Sequence, residues 1–558
     1  MKQTGTISEK TLILLVLLLY LIVYFTPLGI RPMIAPDEPR YAEIAREMVA
    51  SGDWISAHLN GVRYLEKPVM SFWCSAGAMK IFGVNRFAAR FPSALAAGLS
   101  GLLLFLLVRR ESKDGYGGIL ATVIFLTFGM VYVLGTFCIP DAVFSAFVTG
   151  SLVFFYFSYR ASSLPRKISL LFVSGVFLGL GFLTKGLVAL VIPVLAVTPF
   201  MVWERRFVEL VKTSWIPLVA AVLVALPWSI LVHFENSDFW RYFIWVSHIE
   251  RFIGGSASTN LHSEPFWYYL PILLGGTLPW SVLLPSIVSG TKKEHLKTPL
   301  VRFASCWLIF PLTFFSISSG KLGTYILPLM PAAAVLFSIG LCSFFKTIRN
   351  NSFRYSTAFL GAVMGVIILY LMVSFIIPDP EISLFSRDEW LKRVAAVIGV
   401  GVWMTLLIRL LTVKEVKAAT LIFAAAPLLF LVTSPYIFPD IIKAHKVPDD
   451  FFGTYHRHIE PDAMVLGYKH SAYIASWYLQ RDDIGFYINP GVLEHGLAQT
   501  GTMDRLIDIN ELPVLVDEKP HGEPLYLFLK VKEYERYLEK LPEPTSIDTY
   551  GDFMILEF

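Results

Sequence analysis

Apolar runs long enough to cross a bilayer recur along this chain, and no other feature narrows its possible folds so far. A hydrocarbon core about 30 Å thick is spanned by about 20 apolar residues in helical form. Residues 11–25 and 93–108, each with its flanks, and 359–377 meet that requirement. With 55% hydrophobic and only 16% charged residues over 558 positions, the chain lacks the polar surface of a water-soluble protein. Mean hydropathy, at +0.60, agrees. Lys2 and Lys10 precede the first run as in a signal peptide, but no small-residue cleavage site follows, so the run reads as a retained span.

Expected spans lie near 10–29, 87–108, 115–136, 142–159, 168–184, 187–203, 214–233, 266–289, 300–318, 324–344, 355–377, 391–411 and 417–436, about thirteen in all. Alternate short loops are basic: Arg109, Arg110 and Lys113; Arg160, Arg166 and Lys167; Arg205, Arg206 and Lys212; Lys292, Lys293 and Lys297; Lys346, Arg349 and Arg354; Arg409, Lys414 and Lys417. The positive-inside rule places these loops, with the N-terminus, in the cytoplasm. The loops 30–86 and 234–265 are then external, and an odd number of spans carries the C-terminal region across as well. Residues 1–436 are expected to form a membrane domain and 437–558 an external α/β domain. That second region carries strand patterns at 464–468, 484–488, 525–530 and 553–558, with helical ones at 471–479 and 531–541. Four scattered cysteines, Cys74, Cys138, Cys306 and Cys342, form no CxxC pair and suggest neither a zinc knuckle nor a disulfide framework.

Ionisable residues concentrate in the external loops. The segment Asp37-Glu38-Pro39-Arg40-Tyr41-Ala42-Glu43-Ile44-Ala45-Arg46-Glu47 starts a helix, with Asp37 placed as an N-cap and Pro39 in the first turn, where its missing N–H costs nothing. Glu43, Arg46 and Glu47 read as surface pairs worth about 0.2 to 0.5 kcal/mol each. Asp37 and Arg40, one turn apart just beyond the first span, read as functional. Further on, Arg63-Tyr64-Leu65-Glu66-Lys67-Pro68 has an extended backbone at Lys67 ahead of the proline. In the second long loop, helical spacing puts His248 and Arg251 on one face, although a lone histidine is commonly structural. Asp141 follows a short external turn and could serve as a cap. Lys185 could snorkel, and Tyr325 could be an interfacial aromatic. Their common side of the membrane argues for a shared role.

The segments DEPRYAEIAREM, SGDW, RYLEKP, GFLTKG, HIERF, EPFWYYLP, LPWS and KLGTYILP, in this order, resemble the aminoarabinose transferases that modify lipid A, which are GT-C glycosyltransferases related to the protein O-mannosyltransferases. The resemblance covers essentially the whole chain. It implies a multi-pass α-helical enzyme of the bacterial inner membrane, with its active site and C-terminal domain in the periplasm. Such an enzyme moves an aminosugar, 4-amino-4-deoxy-L-arabinose, from undecaprenyl phosphate to a phosphate of lipid A and confers polymyxin resistance. Asp37 and Asp141 match the family's acidic positions. Arg40, Lys67 and Arg251 fall where the carrier phosphate is held, Tyr64, Lys185 and Tyr325 at pocket positions, and Glu66 and His248 at a divalent-metal pair, with zinc as the implied ion. Pro39 departs from the small or hydroxylated residue expected there. A monomer working among membrane lipids is implied, with no nucleic-acid partner.

Breaking the bond between the anomeric carbon and a lipid phosphate puts negative charge on the phosphate and positive charge on the sugar. The first needs fixed cations, each donor worth about 3 to 4 kcal/mol, and arginine adds a two-pronged fit to phosphate oxygens. A phosphate acceptor is already ionised, so Asp37 is expected to orient the donor or counter the sugar's charge rather than remove a proton. Two other classes remain as alternatives, a periplasmic protein O-glycosyltransferase and a lipid transporter or flippase. The second would place polar residues and broken helices at mid-membrane, often in inverted repeats, and neither is visible in the sequence.

Overall fold

The computed structural model describes residues 8–112, 115–250, 264–347, 351–377, 383–413, 416–455, 458–519 and 523–558. Among them, nine helices are long and apolar enough to cross a membrane, and eleven spans result if each of two bent pairs counts as one. The first two are α1 (Glu9–Ile30) and α4 (Arg86–Glu111). Two further expected spans fall on the shorter apolar helices Val188–Trp203 and Ala418–Thr433. Leu14 and Leu18 on α1, like Val366 and Leu369 on Ser352–Ile376, are exposed, as side chains facing lipid must be.

The bent pairs break at 127–128, by 65°, and at 277–279, by 96°, so broken helices, which the sequence did not suggest, are present. Hydrocarbon offers no partner to a freed backbone group, and here the two breaks serve each other. The Gly129 amide donates to the Leu278 carbonyl at 2.9 Å, and the Trp280 indole donates to the Thr127 hydroxyl at 2.8 Å. Helices Leu164–Lys185 and Trp215–Glu235 pack closely because glycines line the contact. A Cβ on Gly175 would stand 2.3 Å from the Pro217 carbonyl oxygen, and one on Gly179 would stand 2.7 Å from that of Ala221.

The chain divides into two compact units, one formed by Met1–Pro27, Pro92–Tyr370 and Ala396–Thr433 and the other by Leu28–Phe91, Leu371–Ala395 and Ser434–Phe558. In the second unit the first long loop holds helices α2 (Asp37–Ser51) and α3 (Met70–Phe82) and a hairpin of β1 (His58–Leu59) and β2 (Val62–Arg63). Asn60 and Gly61 join the two strands, both with positive φ, the geometry in which Asn-Gly turns match the twist of a hairpin.

The C-terminal region of that unit is a six-stranded sheet of β3 (Met464–Gly467), β4 (Gly485–Tyr487), β5 (Leu506–Ile507), β6 (Leu525–Lys530), β7 (Ser546–Tyr550) and β8 (Phe553–Glu557), ordered β5-β4-β3-β6-β8-β7. The first four strands are parallel, and β8 runs antiparallel to both neighbours. β6 is covered on both faces and reads as a continuous apolar run, LYLFL. Leu525, Leu527 and Leu529 join one core with Leu466, Leu512 and Leu556, while Phe528 stacks on Phe452 at 4.6 Å on the other face.

The first loop is held to this sheet by hydrogen bonds. The Asn60 amide nitrogen donates to the Ile484 carbonyl at 2.7 Å and its side-chain oxygen accepts from the Ile484 amide at 3.1 Å. Arg505 donates to the Asn60 carbonyl at 2.8 Å. Helix His470–Leu479 packs against α2. This cover corrects the reading of Glu43, Arg46 and Glu47 as surface residues, for all three are buried.

Candidate functional site

The open end of α2 carries the first group of candidate residues. The helix begins at Asp37 itself, with Pro36 in the capping position and no side-chain cap, so the expected N-cap role of Asp37 is replaced by an ion pair. Arg40 donates to an Asp37 oxygen at 2.5 Å and to the Tyr41 hydroxyl at 3.1 Å. Asp37 is 58% exposed, whereas Arg40 is 12% exposed and its Nε–H is buried without an acceptor. Tyr41, Tyr64 and Tyr473 lie close around the guanidinium. Tyr64 donates to Glu66 at 3.0 Å, and its ring meets Phe72 edge-on. Lys67 is half-buried. The result is a cation in an aromatic collar with an exposed carboxylate at its rim and one donor left to offer.

Asp37's neighbour has the opposite fate. Glu38 is fully buried and takes two hydrogen bonds from Arg31, both at 3.0 Å, and two from Arg90, at 2.7 and 2.9 Å. Burial alone would raise its pKa, but Arg90 and Arg31 hold it down at about 2. Arg90 also donates to the carbonyls of Leu28, Arg31 and Pro32, so this cluster fixes where α2 starts. At the helix's far half, Arg46 grips Glu43 at 2.7 and 2.8 Å, and Glu47 accepts the amides of Asn60 and Gly61 at the hairpin tip. Burial, and then the charge of Glu43, raises the pKa of Glu47 well above the carboxylate range.

His470 and Tyr473, on the helix covering α2, belong to the same neighbourhood and were not foreseen from the sequence. Tyr473 is fully buried and its hydroxyl is hydrogen-bonded to His470 Nδ1. Burial and the nearby charges of Lys469, Arg40, Lys530 and Lys532 lower the His470 pKa to about 3, so the imidazole is neutral at physiological pH. The signal for these residues is tertiary, since more than four hundred positions separate them from α2.

In the other unit, Asp141 lies in the first turn of Pro140–Tyr159 and Lys185 ends Leu164–Lys185. Their side chains meet at 2.7 Å. Asp141 makes no cap, contrary to its simplest reading, and Lys185 points back into the protein instead of only snorkelling. The Lys185 ammonium sits 5.6 Å from the ring centres of both Phe144 and Tyr325. Tyr325 lies on the short helix Gly323–Leu329, and the neighbouring Lys321 is buried with its ammonium donating to the Glu264 carbonyl at 2.7 Å. Three expected pocket and acidic residues thus form one cluster. His248 lies on the π-helix Arg241–Glu250, and Arg251 falls outside the described residues. Among the described residues no group of three or more His, Cys, Asp or Glu side chains could hold a metal ion; of the expected Glu66–His248 pair, Glu66 accepts from Tyr64 and the His248 side chain falls outside the described residues. No step is therefore routed through a metal.

Residues 10–243 match the family model described as dolichyl-phosphate-mannose-protein mannosyltransferase, and residues 443–557 match that of the arabinosyl transferase ArnT C-terminal domain. The undecaprenyl phosphate-alpha-4-amino-4-deoxy-L-arabinose arabinosyl transferase of Aeromonas hydrophila subsp. hydrophila is 34% identical over 533 residues, spanning 95% of this chain and 96% of that protein. The chain belongs to the undecaprenyl phosphate-aminoarabinose arabinosyl transferase family. A second member of the family, from Serratia proteamaculans, is 33% identical over 546 residues, spanning 96% of each chain. The fold of this arabinosyl transferase family has been solved for ArnT from Cupriavidus metallidurans bound to undecaprenyl phosphate, which superimposes with a TM-score of 0.80 at 22% identity over 99% of this chain and 98% of that one. Membership of a glycosyltransferase family removes the transporter alternative and makes the chain a multi-pass membrane enzyme.

Proposed function

We propose that the chain transfers 4-amino-4-deoxy-L-arabinose from undecaprenyl phosphate to a phosphate of lipid A, at the periplasmic face of the bacterial inner membrane and as a monomer. The bond from the anomeric carbon to the carrier phosphate breaks, a bond to an acceptor phosphate oxygen forms, and undecaprenyl phosphate departs with the bonding electrons. The observation that carries this reading is the pairing of an exposed Asp37 with a largely enclosed Arg40 whose Nε–H has no acceptor. Arg40, with Lys67, draws the leaving phosphate. Asp37, with a carboxylate oxygen open to solvent, faces the developing charge of the sugar or its ammonium group. No proton has to leave the acceptor, which agrees with an Asp37 held by a cation instead of a base-activating network.

Asp141, held by Lys185 beside Tyr325, is assigned to the second acidic role, orienting the sugar. Fixed ion pairs of this kind need no rearrangement when charge develops, which is the source of their catalytic worth. Glycan attachment to protein is the competing outcome, because the mannosyltransferase match extends over residues 10–243. Mass spectrometry of lipid A from cells expressing the wild type or Asp37→Ala decides between them. Added aminoarabinose that vanishes in the variant, together with polymyxin resistance, supports the reading, and lipid A unchanged by the wild-type protein overturns it.

A further inference from the structure

The reaction brings two anions to one carbon, and the phosphate-binding cations assigned so far attend to the departing one. The acceptor phosphate needs cations of its own. The sheet of the C-terminal region supplies a place for them. From β3 the chain moves through helix His470–Leu479 to β4 and then β5 on one side, whereas β6 lies on the other side of β3. This reversal is a topological switch point, and in open parallel sheets the crevice beyond the strand C-termini at such a point is where ligands bind.

Lys469 and His470 leave the end of β3, and Lys530 and Lys532 leave the end of β6, so the two connections flanking the switch point carry three lysines and a histidine. Lys469 is a non-glycine residue with positive φ, at φ 50° and ψ −111°, tied down by its amide to the Asn489 carbonyl at 2.8 Å. Strain of this kind persists where the surroundings enforce it, commonly at functional positions. Its side chain lies over Gly491, where an added Cβ would come within 3.1 Å of Lys469 Cγ. Among the described residues its ammonium has no ion-pair partner, while Lys530 is braced by Asp552 at 3.3 Å and Lys532, 74% exposed, lies 3.6 Å from a Glu533 carboxylate oxygen. His470 meets the Tyr473 hydroxyl at Nδ1, and with that hydroxyl as the donor the hydrogen of the neutral ring sits on Nε2 as a further donor.

We propose that this switch point is an anion subsite, in which Lys469, Lys532 and the Nε2–H of His470 hold the phosphate of the acceptor lipid while the first loop holds the donor. The inference rests on the proposed transfer to a phosphate. The neutral His470 supports it in a limited way: lysine and arginine charges already surround the ring, so an added anion finds the cations in place.

The test uses the full-length protein in nanodiscs with undecaprenyl phosphate-aminoarabinose as donor and lipid A as acceptor. Replacing Lys469 and Lys532 together by alanine is expected to raise the acceptor KM at least roughly tenfold, as loss of charge-assisted hydrogen bonds does, with donor KM unchanged. Lys469→Glu with Lys532→Glu should raise it further, and the paired arginine variants, which keep the charge and the fold, should stay near wild type. An unchanged acceptor KM in the alanine and glutamate variants overturns the subsite, and so does a rise confined to the donor KM, which would assign the lysines to the carrier phosphate. Failure of the wild type to modify lipid A at all overturns the transfer reading itself, a separate result.

Discussion

The inward face of α2 and its open end carry the same kind of side chain and put it to opposite uses. On the inward face Glu38, Glu43 and Glu47 are buried, and each is matched by arginines or backbone amides. At the open end Asp37 is exposed and holds one arginine that is itself only partly satisfied. A carboxylate whose hydrogen bonds are complete has nothing left for a substrate, so saturation separates the structural acids from the reactive one more sharply than position in the helix does.

Breaking the inward face should have the largest effect. Glu38→Ala leaves Arg31 and Arg90 buried without their shared carboxylate, and loss of one partner of such a cluster costs about 3 to 5 kcal/mol. It should appear as a marked fall in melting temperature of the detergent-solubilised protein. Asp37→Asn should do the converse, lowering kcat by about 100-fold or more with the melting temperature kept, since one charged contact at the reacting centre is worth about 3 to 4 kcal/mol. If Asp37→Asn unfolds as early as Glu38→Ala, the distinction between the two faces collapses.

The pH dependence sharpens the same comparison. His470 titrates near 3 when folded and near 6.5 when unfolded, so the unfolded chain binds the extra proton between those values. Stability from this residue is complete above about 6.5 and is lost as pH falls toward 3. Melting temperature measured from pH 7 to 4.5 should therefore drop, and His470→Gln should flatten the slope. Tyr64→Phe, which removes only the bond to Glu66, should change stability by about 1 kcal/mol, readable as a small shift in urea midpoint.

Much of this was legible in advance. The apolar runs located the spans because a helix in lipid has no other way to satisfy its backbone. The strands 464–467, 485–487, 525–530 and 553–557 fall on the segments expected for them, since each has the short apolar pattern of a buried strand. β5 and β7 escaped, one being two residues long and the other mostly exposed and polar. Asp37, Arg40, Asp141 and Lys185 stood out because charge is rare in this chain. What local pattern could not reveal was that Asp141 answers Lys185, that Glu38 is the buried member of the Asp-Glu pair, or that His470 and Tyr473 meet the first loop. Those facts depend on contacts between distant segments, and a single residue type carries no mark of them.

The Asn60-Gly61 hairpin has a consequence for anyone who would recombine members of this family. Because its tip is bonded to Ile484 and Arg505, the first loop and the C-terminal sheet behave as one module that the genetic order happens to interrupt. A chimaera that imports only one of the two pieces inherits a mismatched seam, so substrate preference is expected to move between relatives only when both are exchanged together.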